Sequence, residues 1–382
     1  MSDSHATTHS APGGETVNFA YVPRPGLGRL AIVNFLLGVV TLTIYRFWAK
    51  TEVRKHIWSC VHINGVALEY TGRGMELFKG ALIVFAVLGL PAVLAISGIS
   101  LAYGPQHPAV AGIQGLLLLI VTLFWGAAIY RSRRYQLSRT LWRGIRGSLD
   151  GSATTYSLLY FGKLLARAIT LGWATPVLNL SLQEHIIGTM KFGDLPFRFK
   201  GRAGPLYPSY ALCWFGTIGS FILAAIVLAG AFGVYFGGDL AGTFGDIFND
   251  QQPSGEQVAK IAIAVTSLFL LYLAFFAIYP AIWAYYSARE MAIFASYTTA
   301  GAARFAMDVK AWDMIKLMFG NFFLIVLTLG IATPFVQQRN VRFMCDRLRV
   351  DGSIDVDAIR QSVSALDRTG EGLADAFDIG GL

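Results

Sequence analysis

Charged side chains are scarce in this sequence of 382 residues. Asp, Glu, Lys and Arg make up 14% of it, against 54% hydrophobic residues, whereas soluble domains carry about 25% charged residues. Three stretches contain none of these four residue types: 80–130, 203–238 and 261–288. A helix needs roughly 20 apolar residues to cross a bilayer, so the first stretch has room for two membrane helices and each of the others for one. Buried helices of a soluble protein are the alternative, but such helices seldom lack any charged face.

Cysteine is rare, and the common catalytic motifs are absent. The three cysteines, Cys60, Cys213 and Cys345, form no CxxC pair, so they indicate neither a disulfide framework nor a zinc site. The sequence contains no P-loop, GxSxG, HExxH or paired-carboxylate motif. We therefore predict no catalytic residue, no bound metal and no cofactor, and we expect a protein that is not an enzyme.

One short pattern occurs three times. TLGWATPVL at 170–178 matches TLGIATPFV at 328–336, and TLTIYRFWA at 41–49 is a blurred third copy. Residues 158–177 and 316–335 agree at nine of twenty positions. Gly and Pro inside each of the two closest copies would break a helix near its middle. The pattern predicts an internal repeat built on a broken helix, with units at about 30–80, 158–205 and 316–356.

The residues after each copy predict an amphipathic helix and then a small hairpin. In the first copy, Val53, Ile57, Cys60 and Val61 fall on one helical face. A turn dipeptide follows each helix in register, and these dipeptides are Asn64-Gly65, Gly193-Asp194 and Asp351-Gly352. Asn-Gly and Asp-Gly suit type I′ turns, and Gly-Asp suits type II′. The basic helix is typical of the lipid headgroup layer; packing only against protein is the alternative.

The segment TLTIYRFWAKTEVRKHIWSCVHINGVALEYTGRGMELFKG at 41–80 resembles the signature of the YjgN-like family, bacterial inner-membrane proteins of unknown function. The family pattern reads roughly T-L-G-I-Y-x-x-W-A-K-x-R, then a Trp, a strand with Gly, and Y-x-G. It falls on Thr41, Leu42, Ile44, Tyr45, Trp48, Ala49, Lys50, Trp58, Gly65, Tyr70 and Gly72. Thr43 stands where the pattern has glycine, which argues against a tight break there. The resemblance extends over 17–356, implies a bacterial inner-membrane location and supplies no activity.

The distribution of the 31 basic residues predicts the topology, because Lys and Arg remain cytoplasmic. The 102–112 loop contains no basic residue, and the 237–260 loop contains Lys260 against four acidic residues. Four crossings, at 80–102, 110–130, 208–236 and 261–285, place these two loops outside and all others in the cytoplasm. The three TL-x segments would then be re-entrant. Seven plain crossings, with the charge bias violated locally, are the alternative.

The predicted fold class is an all-α polytopic membrane protein with small cytoplasmic β-hairpins and internal repeats of a broken, re-entrant helix plus an amphipathic helix. We expect residues 1–25 to form a disordered N-terminal tail and 26–352 the membrane domain. Within that domain, transmembrane hairpins are expected at about 80–130 and 208–285. Residues 353–382 are expected to form a cytoplasmic tail.

Polar residues occur at equivalent positions of the three repeats. Aligned copies place Asn34, Lys163 and Asn321 together near the start of each segment; the threonines Thr41, Thr170 and Thr328 share a second position, and Arg167 lies inside the second copy. Interrupted helices at corresponding positions of repeats mark binding sites in transporters. These seven residues are therefore predicted to line a cavity or solute path. Helix capping or bonding between helices is the alternative.

Basic and aromatic residues near the apolar segments are predicted to contact anionic lipid headgroups. This set contains Trp48, Arg54, Lys55, Arg131, Arg133, Arg134, Arg139, Trp142 and Arg143. Such residues also suit nucleic acid, but their position directly after a membrane helix favours lipid. Two functions therefore remain open. The first is a transporter or channel-like protein with its path between the repeats; the second is a lipid-organising scaffold with a basic cytoplasmic platform.

Overall fold

The computed structural model describes residues 15–236, 255–356 and 358–361. Within them the chain divides into two compact units, with boundaries after Ala203, Met291, Asp308 and Phe319. The helices are α1 (Leu27–Val40), α2 (Arg46–Trp58), α3 (Gly74–Tyr103), α4 (Pro108–Arg139), α5 (Ala153–Ile169), α6 (Thr175–Gly188), α7 (Tyr207–Phe236), α8 (Gly255–Tyr297), α9 (Ala311–Leu327) and α10 (Thr333–Arg347). The strands are β1 (Glu15–Thr16), β2 (Phe19–Tyr21), β3 (Val61–Ile63), β4 (Val66–Ala67), β5 (Glu69–Tyr70), β6 (Thr140–Trp142), β7 (Ile145–Leu149), β8 (Met190–Phe192), β9 (Leu195–Phe199), β10 (Thr298–Ala300), β11 (Ala303–Met307), β12 (Leu348–Asp351) and β13 (Ser353–Ile354).

Strand pairings and short chain links together form a closed ring in the first unit. Strands β5 to β12 pair side by side in chain order as one eight-stranded sheet, and β2, β3 and β4 form a three-stranded sheet. Only Leu68 separates β4 from β5, and only Gly352 separates β12 from β13. Because β13 pairs with β1, and residues 17–18 join β1 to β2, the circuit of three sheets and three chain links returns to its start.

Every helical segment connects two neighbouring strands of this ring. The short helical pairs α1–α2, α5–α6 and α9–α10 lie between β2 and β3, β7 and β8, and β11 and β12, respectively. The long helices α3–α4 and α7–α8 lie between β5 and β6 and between β9 and β10. Paired strands lie about 4.8 Å apart. Both ends of every helical segment are therefore close together.

The turns that join adjacent strands carry the backbone conformations that their sequences favour. Asn64 and Gly65 have φ angles of 50° and 79°, as the predicted type I′ turn requires. Gly193 has a φ of 58° and Asp194 has no positive φ, in agreement with a type II′ turn. The third prediction was wrong. At Asp351-Gly352 only Gly352 has a positive φ, 103°, and the flanking strands pair with β11 and β1 instead of with each other.

The expectation of an all-α fold with three small hairpins is corrected by this ring. The chain is mostly helical, but its strands form extended antiparallel sheets. Two further hairpins, β6–β7 and β10–β11, follow α4 and α8. Pairings such as Tyr70 with Thr140 and Phe199 with Thr298 then join strands far apart in sequence. A two-stranded hairpin alone is marginal in water, so lateral pairing supplies the stability that each short hairpin lacks.

Three helices are long and apolar enough to cross a membrane among the residues that the structure describes: Gly74–Tyr103, Pro108–Arg139 and Gly204–Gly230. Residues 258–272 form a shorter apolar stretch of α8. Helix α3 contains a π-helical turn at Phe85–Gly89, and Pro91 follows two residues after it. Proline lacks the backbone N–H that the preceding turn would use, so a wider turn at this point accommodates it.

In the second unit, α7 and α8 pack through an aromatic and hydrogen-bonded seam. The indole Nε1 of Trp283 donates to the Oγ1 of Thr217 at 3.1 Å. The ring of Tyr210 lies edge-on to those of Trp283 and Tyr286, and Tyr210 is 2% exposed. Hydrogen bonds between apolar helices and close aromatic packing both stabilise helix pairs in a bilayer.

Segments expected to be tails contribute to the ring. Residues 15–21, within the expected disordered tail 1–25, include β1 and β2. Beyond the expected domain end at 352, β13 pairs with β1, and Val356 is buried. The backbone of Arg360 then exchanges two hydrogen bonds of 3.0 Å with Asp194. The domain therefore extends to residue 361, and the rest of the expected C-terminal tail lies outside the described residues.

Candidate functional site

The three TL-x segments adopt the same break between helices. The leucines Leu42, Leu171 and Leu329 have φ angles of 49°, 48° and 50°. The next residue also has a positive φ: 71° at Thr43, 86° at Gly172 and 86° at Gly330. Two successive left-handed residues end one helix and redirect the chain into the next. The expectation that Thr43 prevents a tight break was wrong.

The threonine that precedes each break spans it with two hydrogen bonds. The hydroxyls of Thr41, Thr170 and Thr328 donate to the carbonyl four residues earlier, at 2.6–2.8 Å. Each hydroxyl also accepts from the backbone N–H four residues later, at 3.0–3.2 Å. A helix end leaves such backbone groups without partners. The three threonines thus stabilise the breaks, in agreement with the alternative in which they cap helices.

The tips of the breaks present apolar side chains to the surroundings. Leu42, Leu171 and Leu329 are 84%, 80% and 87% exposed. Ile169 and Leu327, next to two of the tips, are also at least 80% exposed. Soluble proteins rarely expose contiguous apolar patches without a partner. The tips are therefore suited to a hydrocarbon environment.

A cavity of about 670 Å³ lies between the first and third breaks, within the first unit. It is lined by residues of α1, α2, the third break and α10: Ala31, Asn34, Phe35, Gly38, Val39, Thr43, Arg46, Phe47, Ala49, Lys50, Val53, Gly330, Ile331, Thr333, Pro334, Gln337 and Asn340. Its size is in the range of sites that bind small organic ligands. We define this space as the break cavity.

Amides are found along the wall of the break cavity. Asn34 is 8% exposed, and neither its Oδ1 nor its Nδ2 has a hydrogen-bond partner among the residues that the structure describes. Asn340 lines the cavity and its Oδ1 accepts from the Nδ2 of Asn321 at 2.7 Å. A buried amide without a partner costs roughly 1–3 kcal/mol. Asn34 is therefore placed to bond with a polar group that enters the cavity.

The electrostatics of the break cavity favour an anion. Arg46 and Lys50 are the charged residues in its lining, and none of the described lining residues is acidic. Helix α2 begins at Arg46, and α10 begins at Thr333, so two helix N-termini reach the same cavity. Each N-terminus carries a partial positive charge of roughly half a unit. The cationic side chains and the N-terminal ends of the two helix dipoles are thus all positive in this cavity.

Thr43 also lines the break cavity, and its backbone is strained. A β-branched residue with a φ of 71° is unusual; the equivalent positions of the other two breaks are occupied by glycine. Strained backbone of this kind occurs mainly where function retains it. The break that contains the strained Thr43 is one of the two breaks that form the cavity.

The second break is not part of the break cavity. Neither Lys163 nor Arg167 belongs to its lining. The guanidinium of Arg167 instead donates to Oδ1 of Asn179 at 2.7 Å, which joins α5 to α6. The break cavity therefore joins residues of two copies, and a path lined by all three copies stays a prediction. Asn34 lines the cavity directly, and Asn321 supports it through Asn340.

Several residues predicted to contact lipid headgroups are instead buried in protein contacts. Arg54 is 2% exposed, and its Nη1 donates to the hydroxyl of Tyr70 at 3.3 Å. Trp142 is 6% exposed and donates to the carbonyl of Ile63 at 3.2 Å. Trp48 packs against Phe78, with 5.5 Å between ring centroids. The lipid prediction for Arg54 and Trp142 was wrong, because Arg54 joins α2 to β5 and Trp142 joins β6 to β3.

Arg139 forms an internal ion pair that the sequence did not reveal. Its Nη2 lies 2.9 Å from Oε2 of Glu76, and both side chains are largely buried. The hydroxyl of Tyr135 donates to the same carboxylate at 2.7 Å. Glu76 lies in the first turn of α3. Its partner lies 63 positions away, so no local pattern could pair them.

The remaining basic residues of the predicted lipid-contact set differ in their surroundings. Lys55, Arg131 and Arg133 are exposed, and their contact with lipid stays a prediction. Arg134 donates to the carbonyl of Gly151. Arg143 lies 3.1 Å from the carboxylate of Glu15. The predicted amphipathic stripe Val53, Ile57, Cys60 and Val61 is buried within the protein, as in the alternative in which this face packs against protein.

The structure has two features of a membrane protein, namely long apolar helices and exposed apolar tips. Residues 26–376 match the family DUF898, described as bacterial proteins of unknown function. The chain belongs to this family, which bears out the YjgN-like resemblance.

The chain is similar to relatives that carry the name inner membrane protein YjgN. The Salmonella typhimurium protein is 21% identical over 353 residues, which cover 85% of this chain and 86% of the relative. The Escherichia coli K12 protein is 27% identical over 143 residues, which cover 37% of this chain and 33% of the relative. No solved structure matches the chain.

Proposed function

We propose that the protein is a bacterial inner-membrane transport protein that binds its solute in the break cavity. The observation that carries the proposal is the convergence of two broken helices on one space, with Arg46, Lys50 and Asn34 in its wall. Broken helices direct their N-termini at anionic substrate groups in known transporter folds. Non-helical backbone at membrane depth is tolerated where it lines such a cavity.

The proposed topology has four crossings and three re-entrant hairpins. Its support is the pairing of the strands that flank each helical segment, because both ends of a segment that begins and ends at paired strands lie on one side of the membrane. The basic residues outside the apolar stretches support the cytoplasm as that side. In this topology the repeat units at about 30–80, 158–205 and 316–356 present their breaks to the bilayer.

Transport can be tested with purified protein in liposomes. Vesicles loaded with inorganic phosphate, succinate and a headgroup-labelled fluorescent phosphatidylglycerol would report movement of small and amphiphilic anions. We expect protein-dependent movement of at least one probe, reduced by Asn34→Leu and by Lys50→Gln. Arg342→Gln is the matched control, because Arg342 lies on α10, is well exposed and is not in the lining. Failure of every probe to move, with correctly folded protein, would contradict the proposal.

A lipid-organising scaffold is the second candidate. Its supporting observation is the exposure of Lys55, Arg131 and Arg133, since each basic residue near an anionic bilayer surface contributes about 1 kcal/mol of attraction. A scaffold would lose binding to anionic liposomes when these three residues become glutamine, and it would move no probe. A transport protein would keep its activity in the same variant.

A further inference from the structure

We propose that the break cavity binds an anionic amphiphile, a molecule with one acyl chain region and a negatively charged headgroup, such as a phospholipid or lysophospholipid. This inference deepens the proposed function and rests on its assignment of the break cavity as a ligand site. It specifies the chemical class of the ligand, which the proposed transport function does not.

The size of the cavity favours an organic ligand over a bare inorganic anion. Its volume is about 670 Å³, whereas one water molecule accounts for roughly 30 Å³ of liquid. A bare inorganic anion would occupy a small fraction of this space and would leave most of the wall without contacts. Sites of roughly 300–1,000 Å³ bind ligands of drug size or larger. The cavity is therefore suited to an organic molecule.

The wall of the cavity is mostly apolar. Phe35 and Val39 of α1 line it and are themselves 40% and 60% exposed. Ile32 and Leu36 lie close to them on α1 and are also exposed, so apolar surface lies beside the cavity. A site for a hydrophilic solute would be enclosed by polar groups, whereas an acyl chain gains about 0.8 kcal/mol for each methylene group that it buries.

The polar part of the wall recognises a negative headgroup. Arg46 and Lys50 are one turn apart on α2, so both cations can contact one phosphate or carboxylate group. The helix N-termini at Arg46 and Thr333 reinforce them. The amides of Asn34 and Gln337 supply neutral hydrogen bonds to glycerol or sugar hydroxyls. A choline headgroup would place its own positive charge among these groups, so we expect anionic headgroups to be favoured.

Binding to the purified protein in dodecyl maltoside tests this inference. Native mass spectrometry and fluorescence titration would compare a monoacyl phosphoglycerol with a monoacyl phosphocholine of the same chain length. Inorganic phosphate and glycerol phosphate, added as competitors, separate a lipid headgroup from a free anion. We expect the anionic lipid to bind about tenfold more tightly than the zwitterionic one, since charge-assisted contacts are the strong ones.

Three variants test whether the lipid binds in the break cavity. Arg46→Gln with Lys50→Gln should weaken the anionic lipid about tenfold or more and leave the zwitterionic lipid unchanged. Asn34→Leu should weaken both lipids, and Arg342→Gln should weaken neither. Elution volume and thermal unfolding would verify that each variant folds. If Asn34→Leu fails to fold, the double variant alone decides the result.

The outcomes separate this inference from the proposed function. Equal binding of both lipids, or tight binding of inorganic phosphate alone, would overturn the amphiphile. Phosphate movement in liposomes would then still support transport. Tight, headgroup-selective binding that the double variant abolishes supports the amphiphile even when no probe crosses the bilayer, in which case transport fails and the ligand class stands.

Discussion

Helices α3 and α4 contain 30 and 32 residues, whereas α1 and α2 contain 14 and 13. At 1.5 Å per residue, the long helices are about 45 Å in length and the short ones about 20 Å, compared with about 30 Å for the hydrocarbon core of a bilayer. Both pairs start and end at paired strands. The two pairs are therefore attached to the ring of strands in the same way, but the long pair extends further before the chain turns back.

The two kinds of turn explain this difference. The long pair turns through Gly104, which has a φ of 90° and lies beside Pro108. The short pairs turn through a leucine in the left-handed region, which costs roughly 1–2 kcal/mol. That strain is retained at all three breaks, so we infer that each break is a selected element of the fold. We therefore expect the long pairs to cross the membrane and the short pairs to enter and leave it on the same side.

The largest effect is expected from labelling of single cysteines in whole cells. In a background without Cys60, Cys213 and Cys345, cysteines at exposed positions of the strands should be protected from an impermeant thiol reagent. Suitable positions are Val66, Arg198, Arg304 and Arg349. A cysteine at the exposed Gln106, in the turn of the long pair, should react from outside.

The alternative of seven crossings gives the opposite result at two of these positions. With the N-terminus outside, it places Arg198 and Arg304 on the outside, because the second TL-x segment then adds a crossing between the cytoplasmic residues before it and both positions. External labelling at these positions would remove the distinction between short and long pairs. Labelling after permeabilisation is the control for accessibility.

The second effect concerns the apolar tips. Leu171→Asp should reduce the fraction of protein inserted in the membrane, because an acidic residue at membrane depth costs about 2.5 kcal/mol or more on insertion scales. Val66→Asp is the matched control, since Val66 is also an exposed apolar residue but lies at a strand turn. Equal behaviour of the two variants in a membrane-fractionation assay would show that the tip faces water.

A smaller effect is expected from exchanging residues between the breaks. Thr43→Gly should stabilise the protein by about 1 kcal/mol, because glycine tolerates the positive φ that a β-branched residue resists. Gly330→Thr should destabilise it by a similar amount. A Cβ atom at Gly330 would meet nothing within 4 Å, so this change reports the backbone alone. Thermal unfolding in detergent measures both, and a stabilised Gly330→Thr variant would disprove the strain.

The smallest effect concerns Glu15 and the pH. A hydrogen bond from Asn64, with a further contribution from Arg143, lowers the pKa of this carboxyl below 4.5. A lowered folded pKa stabilises the protein above the unfolded pKa, and this stabilisation is lost as the pH falls through the folded pKa. The melting temperature of Glu15→Gln should therefore lie slightly below that of the unchanged protein at pH 7. The two should converge as the pH falls through the folded pKa of Glu15, and a difference that grew on acidification would contradict this.

The sequence predicted the helices well, because their signals are local. The turn at 103–108 joins α3 to α4 as expected, and the repeated TL-x segments are broken where Gly172 and Gly330 indicate. The break at Thr43 was missed, since threonine carries no signal for a positive φ. The ring of strands was missed because pairings such as Glu15 with Ile354 join residues far apart along the chain.

The candidate site was predicted in part. Asn34 was found from its position in the repeat, and it lines the break cavity. Arg46 and Lys50 lay within the quoted family signature without a role. Periodicity places residues along one helix, but which two of three similar breaks approach each other depends on tertiary packing. That packing also assigned Arg54 and Trp142 to the interior, against their surface-like sequence context.

Closure of the ring by β1 and β13 has a consequence for biosynthesis. Residues 15–16 leave the ribosome first among the described strands, but their partners at 353–354 emerge only after all the helical segments have been made. The N-terminal strand must therefore wait, without its final neighbour, throughout insertion of the chain into the membrane. Pairings of such long sequence separation form slowly, so the last step of assembly is expected to be the docking of the two ends after translation.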